Sequence, residues 1–320
     1  MKAKHVIIYL LLVIVTSSCI RDEAPNAEAD ILSCRLPGIT MTTSPIINNN
    51  SVTLFVTPGT NISALAPEFT LTSGATITPA SGTERNFNSP QEYQVTAADG
   101  IWKKTYAISV IDTELATIYN FEDTISGKKY YIFVERENDK VIMEWASGNA
   151  GYAMTGVAKT ADDYPTFQIA NGKNGKCLSL VTRSTGFFGG LVGMPIAAGN
   201  LFIGSFDVNN AMSNPLQATK FGLPFRHVPT YLAGYYKYKA GDQFTEGGKP
   251  VEGKRDICDI YAIMYETSVS VPTLDGTNAF TSPNLVSMAR IKDAKETDEW
   301  TYFKLPFTTL PGKFIDKEKL

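Results

Sequence analysis

Carboxylates are the first side chains in this sequence that could support catalysis. Hydrolysis of a glycosidic bond needs two of them, one acting as an acid and the other as a nucleophile or base. Asp256 and Asp259 are an odd number of positions apart, so on one regular strand they would face opposite sides. We therefore expect surface or turn carboxylates and assign no catalytic residue. The candidates considered are Glu144, Asp207, Asp256, Asp259 and Glu266.

Aromatic rings beside small polar residues offer a different chemistry, the binding of sugars. A flat ring can stack on the apolar face of a pyranose, while amide and guanidinium groups hydrogen-bond its hydroxyls. Trp145 leads into a loop that carries Asn149 and Tyr152. We expect Tyr152 to be exposed, whereas Trp145 either presents its ring at the end of a strand or packs in the core.

A second aromatic segment runs from 231 to 238. On a strand, Tyr231 and Tyr235 share one face, while Tyr236 and Tyr238 share the other, and one of these faces is expected to be core. Arg226 shortly before this segment could line a pocket or have a structural role. The candidate ligand-binding residues are Trp145, Asn149, Tyr152, Arg226, Tyr235 and Tyr236.

Several other classes of chemistry lack the residues they need. His227 is the only histidine besides His5, so histidine-based catalytic triads and multi-histidine metal sites are missing their parts. Segment 186–193 is rich in glycine, but no Lys-Ser or Lys-Thr follows it and no helix start is evident. We expect a flexible loop there, and no phosphate-binding turn. The net charge of −3 leaves no basic field for nucleic acid.

No cofactor is predicted, and no metal site is assigned. The turns Asp99-Gly100, Asp162-Asp163 and Asp275-Gly276 supply oxygen atoms that suit a structural calcium ion. An ordered series of Asp and Asn ligands is missing from the sequence, so calcium stays possible but unassigned.

The first residues are typical of an exported lipoprotein. A basic start is followed by an apolar run over 6–15 and three small residues before Cys19, which predicts a signal peptide over residues 1–18. The run is shorter than the roughly 20 apolar residues of a membrane span. The pattern resembles a lipobox, although Thr16 stands where leucine is usual. We expect a lipid anchor on Cys19, and the alternative is a soluble exported protein.

The residues after Cys19 bear on localisation. Segment 20–23 places one base and two acids beside the anchor. It resembles the export signal of Bacteroidetes lipoproteins, which implies the outer membrane and its outer face. The alternative is an ordinary solvated linker, and residues 19–33 are predicted to be a polar tether.

The remaining cysteines are Cys34, Cys177 and Cys258. An odd number allows one disulfide at most, and no Cys-x-x-Cys spacing suggests zinc or redox chemistry. Each cysteine stands in an apolar or strand-like run, so we expect free thiols packed as small apolar side chains.

The chain after the leader, roughly 300 residues, is long enough for two domains. Over 34–112, short alternating segments and the hairpin turn Asp99-Gly100 predict a small β-sandwich. Stretches 74–82, 93–100 and 104–106 resemble the immunoglobulin-like modules at the membrane-proximal end of Bacteroidetes surface proteins. That resemblance implies a spacer.

The segment 113–320 has near ten candidate strands, large glycine-rich connections and little helical periodicity. This pattern favours a jelly-roll β-sandwich, so the whole chain is predicted to be all-β. The candidate strands cover residues 130–136, 141–145, 166–169, 177–182, 201–206, 231–238, 258–265, 285–292 and 300–305.

The same segment resembles the putative carbohydrate metabolism domain family of Bacteroidetes lipoproteins. The resemblance implies a jelly roll akin to carbohydrate-binding modules, with poorly defined ligands. The family usually supplies one more strand after the position of Leu320, so a truncated chain and a dispensable strand are both open. The resemblance is carried by residues 175–180, 196–204, 219–225, 232–238, 256–262 and 300–307.

The sequence thus favours a cell-surface lipoprotein that binds glycan or assists carbohydrate acquisition without catalysis. Its expected partners are a glycan and, through the anchor, the outer membrane. A first alternative is a glycoside hydrolase that uses a carboxylate pair. A second is a structural or adhesive module with a protein partner, which an exposed apolar patch or an unpaired sheet edge would favour.

Overall fold

The computed structural model describes residues 25–268 and 270–316. Strands account for 37% and helices for 8%, so the predicted all-β sandwich class is confirmed. Within those ranges no helix has the length and apolar character needed to cross a membrane. The predicted signal peptide over 1–18, the anchor at Cys19 and the start of the tether lie outside the described residues.

Seven strands form the N-terminal part of the molecule over the residues described from position 25 onward. They are β1 (Ile31–Arg35), β2 (Ile46–Ile47), β3 (Ser51–Phe55), β4 (Glu68–Leu71), β5 (Thr76–Thr78), β6 (Gln91–Thr96) and β7 (Lys103–Ile111). A five-stranded sheet has the order β2-β3-β7-β6-β5, and β1 pairs with β4 in a second sheet. Only β3 and β7 run parallel.

The core of this part is built by alternation along its strands. In β7, Tyr106, Ile108 and Val110 point inward and are buried, as are Leu54 on β3 and Val95 on β6. Side chains two apart on a strand share a face, so each strand contributes every second residue to one shared core. Burial of this apolar surface is the main force that holds the two sheets together.

A polar network ties the first strand to the main sheet. The Lys104 ammonium lies 2.6 Å from Asp30 Oδ1, and the Tyr106 hydroxyl donates to the same oxygen at 2.9 Å. The hydrogen bond with Lys104 lowers the pKa of Asp30. Residues 31–33, predicted as tether, therefore belong to β1, because this network and the pairing with β4 hold them in place.

The predicted hairpin turn at Asp99-Gly100 is present. Gly100 has φ +71°, and Asp99 Oδ1 accepts hydrogen bonds from the backbone N–H groups of Ile101 and Trp102 at 2.8 and 3.2 Å. Glycine adopts this left-handed conformation without the steric cost that a Cβ imposes. The turn connects β6 to β7 and leaves the Trp102 side chain exposed.

The C-terminal part contains sixteen further strands in the described ranges. They are β8 (Val134–Glu137), β9 (Lys140–Ala146), β10 (Thr166–Ile169), β11 (Cys177–Leu180), β12 (Arg183–Ser184), β13 (Ile196–Ala197), β14 (Phe202–Phe206), β15 (Thr219–Phe221), β16 (Tyr231–Tyr238), β17 (Thr245–Glu246), β18 (Lys249–Pro250), β19 (Tyr261–Tyr265), β20 (Leu274–Asp275), β21 (Leu285–Arg290), β22 (Thr297–Pro306) and β23 (Thr308–Thr309).

These strands form one large sheet and several smaller ones. The large sheet has the order β20-β15-β14-β9-β8, and a three-stranded sheet has the order β19-β21-β23. Antiparallel pairs join β10 to β11, β12 to β13, β16 to β22 and β17 to β18. Three short helices interrupt them: α1 (Asn149–Tyr152), α2 (Gly186–Leu191) and α3 (Pro215–Ala218).

Two local expectations were wrong. The glycine-rich segment 186–193 begins with helix α2, because Gly189 lets the helix pack closely against Thr185; a Cβ there would lie 2.1 Å from Thr185 Oγ1. The strand predicted over 258–265 begins only at Tyr261, so Asp256 and Asp259 do not lie on a strand. The parity argument for Asp256 and Asp259 therefore does not apply to the folded chain.

The cysteines behave largely as the sequence predicts. Cys34, Cys177 and Cys258 are all free thiols. Cys34 is buried in the N-terminal core, where loss of hydration raises the pKa of its thiol to about 12. Cys177 and Cys258 are half-buried.

Truncation of Leu54 tests the role of the N-terminal core. Because Leu54 is buried on β3, we expect Leu54→Ala to lower the free energy of unfolding by about 2–5 kcal/mol. The exposed Leu32 on β1 provides the matched control, and Leu32→Ala should cost less than about 0.5 kcal/mol. Urea unfolding, combined with hydrogen exchange of β3 and β7, measures both. Equal losses in the two variants would contradict this placement of the core.

Candidate functional site

The Trp145 ring belongs to an aromatic cluster. It is half-buried on β9, and its Nε1–H donates to Glu135 Oε1 at 2.8 Å. The rings of Tyr119 and Phe121 pack against it, with centroids 5.0 and 5.5 Å away. These contacts hold the half-buried indole against neighbouring side chains. Burial raises the pKa of Glu135, and the hydrogen bond from the Trp145 indole opposes this rise.

Asn149 and Tyr152 turn into the protein. The buried Asn149 amide donates to the Thr166 carbonyl at 2.7 Å and accepts from the Thr166 N–H at 3.1 Å. Tyr152 is 5% exposed, and its hydroxyl donates to the Ser184 carbonyl at 2.9 Å. The expectation that Tyr152 is exposed is wrong, because helix α1 directs this segment onto strands that are distant in sequence.

Arg226 and its neighbour His227 lie at the junction of the two parts of the molecule. His227 Nε2 is 2.7 Å from Glu114 Oε2. Arg226 lines a cavity of about 20 Å³ together with Pro58 of the N-terminal part and Glu114 of the connecting segment. A space of this size holds about one water molecule. These residues therefore join the two parts of the molecule.

Strand β16 has two distinct faces, as its sequence predicts. Tyr231 and Tyr235 point outward and are exposed, whereas Tyr236 and Tyr238 point inward and are half-buried. The Tyr236 hydroxyl is held by the backbone of Lys295, donating to its carbonyl at 3.4 Å and accepting from its N–H at 3.3 Å. Of the two tyrosines proposed as ligand contacts, only Tyr235 is on the solvent side.

The register with β22 brings further aromatic and basic side chains to that solvent side. Tyr235 lies directly opposite Tyr302, and their ring centroids are 5.2 Å apart. On the inward side Gly234 lies opposite Phe303, and a Cβ on Gly234 would come within 2.9 Å of the Phe303 ring. The fit of this ring over a glycine favours the observed register over a shifted one.

We call the outward surface of this strand pair the tyrosine–lysine face. Its three tyrosines are prominently exposed, at 52% for Tyr231, 47% for Tyr235 and 55% for Tyr302. Large aromatic side chains usually lose most of their surface on folding, so an exposed group of them indicates binding. The face consists of Tyr231, Tyr235 and Lys237 on β16, Trp300, Tyr302 and Lys304 on β22, and Lys173 between β10 and β11.

Each lysine of the face lies over an aromatic ring. The Lys304 ammonium is 4.0 Å from the centroid of Tyr231, and the Lys173 ammonium is 4.2 Å from that of Tyr235. Lys237 lies 5.3 Å from the Trp300 ring. Cation–π attraction holds an ammonium in such a position and contributes about 0.5–1 kcal/mol at an exposed site. The face therefore combines stacking surfaces with fixed positive charges.

Sequence reasoning found Tyr235 but missed its partners. Alternation along 300–305 would have placed Trp300, Tyr302 and Lys304 on one face of a strand. Nothing in the sequence, however, states that this strand pairs with β16, or that Lys173 reaches it from a connection more than 50 residues earlier in the chain. The missing information is the pairing of segments distant in sequence.

A broad cleft open to solvent lies beside these strands. Its walls include residues of β9, β14, β15, β16 and β19. Glu144 lines it beside Tyr130. The side chain of Glu144 is exposed to the cleft, although protein surrounds its carboxyl group on most sides. The resulting loss of hydration raises the pKa of Glu144, and the positive charge of Lys128 opposes this rise.

Two of the other carboxylates considered for catalysis are engaged in structural contacts. Asp259 accepts from Arg290 Nη2 at 2.7 Å and from Arg290 Nε at 3.0 Å. Asp207 accepts from the backbone of Asn209 at 3.0 Å and the amide of Asn210 at 2.6 Å. In the part of the chain that the structure describes, no group of three or more His, Cys, Asp or Glu side chains could hold a metal ion.

Each of the two parts of the chain matches a known protein family. The family described as "Putative carbohydrate metabolism domain" matches residues 120–320. The family described as "SGBP, N-terminal" matches residues 31–110. None of the curated proteins matches the chain.

The solved structures that are similar to this chain include two from Bacteroides species. The crystal structure of a putative glycoside hydrolase from Bacteroides thetaiotaomicron shares 85% identity with a TM-score of 0.89, covering 93% of this chain and 87% of that one. A putative glycoside hydrolase from Bacteroides vulgatus shares 48% identity with a TM-score of 0.58, covering 62% of this chain and 82% of that one.

The raised pKa of Glu144 predicts a pH-dependent effect on stability. As the pH rises past about 4.3, the Glu144 carboxyl loses its proton in the unfolded chain before it does so in the folded chain. The free energy of unfolding therefore falls over this range, and the loss persists at pH 7. We expect Glu144→Gln to raise the midpoint temperature of unfolding slightly at pH 7, a small effect because solvent in the cleft screens the exposed carboxylate. The difference from the wild type should shrink near pH 3.5, where the wild-type carboxyl is protonated in both states.

Calorimetry at the two pH values measures this effect. Glu137→Gln, which removes an exposed carboxylate from the neighbouring strand β8, is the matched control and should leave both midpoints nearly unchanged. A destabilised Glu144→Gln variant at pH 7 would contradict the assignment of a desolvated carboxyl.

Proposed function

The chain belongs to the putative carbohydrate metabolism domain family, and from this premise we propose that it binds a glycan at the cell surface without catalysing a reaction. The tyrosine–lysine face is the proposed binding site. One observation carries the proposal: Tyr235 and Tyr302 lie side by side on paired strands with about half of each side chain exposed.

The shape and chemistry of this face suit a sugar chain. A tyrosine ring offers an apolar surface for the C–H groups of a pyranose and keeps a hydroxyl at its edge for hydrogen bonding. Tyr231 and Tyr235 are four residues apart on β16, about 13 Å along the strand. This span exceeds one pyranose ring, so the face could contact consecutive sugars of one chain.

The N-terminal part supports a position at the cell surface. The match of residues 31–110 to the SGBP, N-terminal family connects this part to surface glycan-binding proteins. We propose that the chain is held by a lipid on Cys19 and that the N-terminal sandwich acts as a spacer. Lys140 of the C-terminal part lies 2.7 Å from Asp112, a contact that couples the spacer to the binding part.

Glycoside hydrolysis is the second candidate function. The raised pKa of Glu144 in the cleft suits a general acid, and both similar solved structures carry the name putative glycoside hydrolase. The mechanism requires a second carboxyl at a defined separation. Asp259 and Asp207 are engaged in structural contacts, and for this reason we propose binding as the first candidate.

A structural module with a protein partner is the third candidate. Exposed apolar side chains cluster around α2, where Phe187, Phe188, Leu191 and the nearby Ile196 all reach solvent. Clustered exposed apolar residues are typical of protein interfaces. The tyrosine–lysine face differs from this surface because each of its lysines lies over a ring, which suits a polar ligand better than an apolar one.

Alanine substitutions test the proposed glycan site. Tyr235→Ala and Tyr302→Ala each remove a stacking ring, and we expect each to weaken binding about tenfold, or about 1.4 kcal/mol. Affinity electrophoresis of the mature chain against a panel of polysaccharides measures the change. Reducing-end assays on the same mixtures report hydrolysis, and product release that Glu144→Gln abolishes would favour the second candidate.

Two exposed aromatic side chains away from the face provide controls. Trp102→Ala alters the spacer, and Phe187→Ala alters the surface around α2. Both variants should keep wild-type affinity. If they weaken binding as much as Tyr235→Ala does, or if the folded wild type binds no polysaccharide of the panel, the proposed site is wrong.

A further inference from the structure

The charges of the tyrosine–lysine face identify a class of ligand. We propose that the glycan bound there is anionic and carries carboxylate or sulfate groups. This inference rests on the proposed function, because it names the ligand class of the same site.

The lysines of the face are free of carboxylate partners within the described residues. Lys173, Lys237 and Lys304 take part in none of the ion pairs there, although other lysines of the molecule pair closely with acids. Examples are Lys104 with Asp30 at 2.6 Å and Lys140 with Asp112 at 2.7 Å. A chain with a net charge of −3 thus presents unpaired positive charge on one aromatic surface.

The acidic residues nearest in the β22 sequence lie toward one end of the face. Asp298 and Glu299 are exposed and precede Trp300, where the pairing with β16 becomes irregular. The opposite end carries Lys304 and Tyr231. The positive potential is therefore expected to be strongest around Lys304 and Lys173, whose ammonium groups also lie closest to their rings.

An acidic sugar matches this arrangement in both of its chemical aspects. It has an apolar ring face for stacking and an anionic group at its edge for an ammonium that lies 4.0 or 4.2 Å from the centroid of the neighbouring tyrosine ring. The lysines are already positioned by the rings, so less side-chain freedom is lost when the anion binds. A neutral sugar would gain only the stacking.

Pairs of polysaccharides that differ only in charge test the inference. Polygalacturonate against its fully methyl-esterified form isolates the carboxylate, and dextran sulfate against dextran isolates the sulfate. In affinity electrophoresis with the mature wild-type chain, we expect at least one charged member to bind about tenfold more tightly than its neutral counterpart. Raising the salt from 0.15 to 1 M should remove most of this difference, because it shortens the screening length from about 8 to 3 Å.

Lysine variants locate the effect. Lys173→Gln with Lys304→Gln should weaken binding of the charged member about tenfold and remove most of its advantage over the neutral member. Lys103→Gln with Lys129→Gln removes the same amount of charge from exposed positions outside the face and is the matched control. It should behave like the wild type.

The outcomes separate this inference from the proposed function. Neutral members that bind as tightly as charged ones would overturn the anionic preference while leaving a glycan-binding protein. Equal losses in the two double variants would also overturn it, since general attraction to a polyanion would then explain the binding. Failure of the folded wild type to bind any glycan would overturn the proposed function together with this inference.

Discussion

The antiparallel register of β16 against β22 is the constraint on which the candidate site depends. It places Tyr235 opposite Tyr302 and Gly234 opposite Phe303, so the outward tyrosine pair and the inward ring-on-glycine contact are set by the same pairing. A shift of one residue would turn every side chain of a strand to the other face. The outward tyrosines would then point inward, and Phe303 would meet a residue with a side chain.

Aromatic residues serve two different purposes in this molecule, and their neighbours decide which. Trp145 hydrogen-bonds Glu135 and packs against Tyr119 and Phe121, so its ring stabilises the large sheet. Tyr235 has instead a second tyrosine and a lysine as neighbours, and it keeps about half of its surface in contact with solvent. The packing around Trp145 stabilises the folded state, because it buries apolar surface. The rings of Tyr235 and Tyr302 instead keep apolar surface exposed, which a ligand can cover.

The two parts of the molecule meet through polar contacts. Asp112 and Glu114, which follow the last strand of the N-terminal part, pair with Lys140 and His227 of the C-terminal part. Partly exposed contacts of this kind contribute little stability, and the contact between Glu114 and His227 is an ion pair only when His227 is protonated. A spacer joined in this way would hold the tyrosine–lysine face in a defined orientation relative to the N-terminal sandwich.

Much of the local structure could be read from the sequence alone. Alternating apolar residues predicted β10 and β16 with their observed bounds, the Asp99-Gly100 turn was recognised from its residue types, and the two faces of β16 followed from the two-residue period of a strand. These features depend on interactions between residues that are close in sequence, which is why composition and spacing determine them. The predicted anchor at Cys19 belongs to the same kind of inference and stays a prediction.

The tertiary structure alone decided which rings are available to a ligand. Tyr152 was expected to be exposed and is buried, because its partners Ser184 and Tyr164 come from other segments of the chain. Tyr302 reaches the side of Tyr235 only through a strand pairing that spans more than 60 residues of sequence. Exposure and cross-strand contacts are properties of segments brought together by burial of the whole core, and no local pattern specifies which segments those will be.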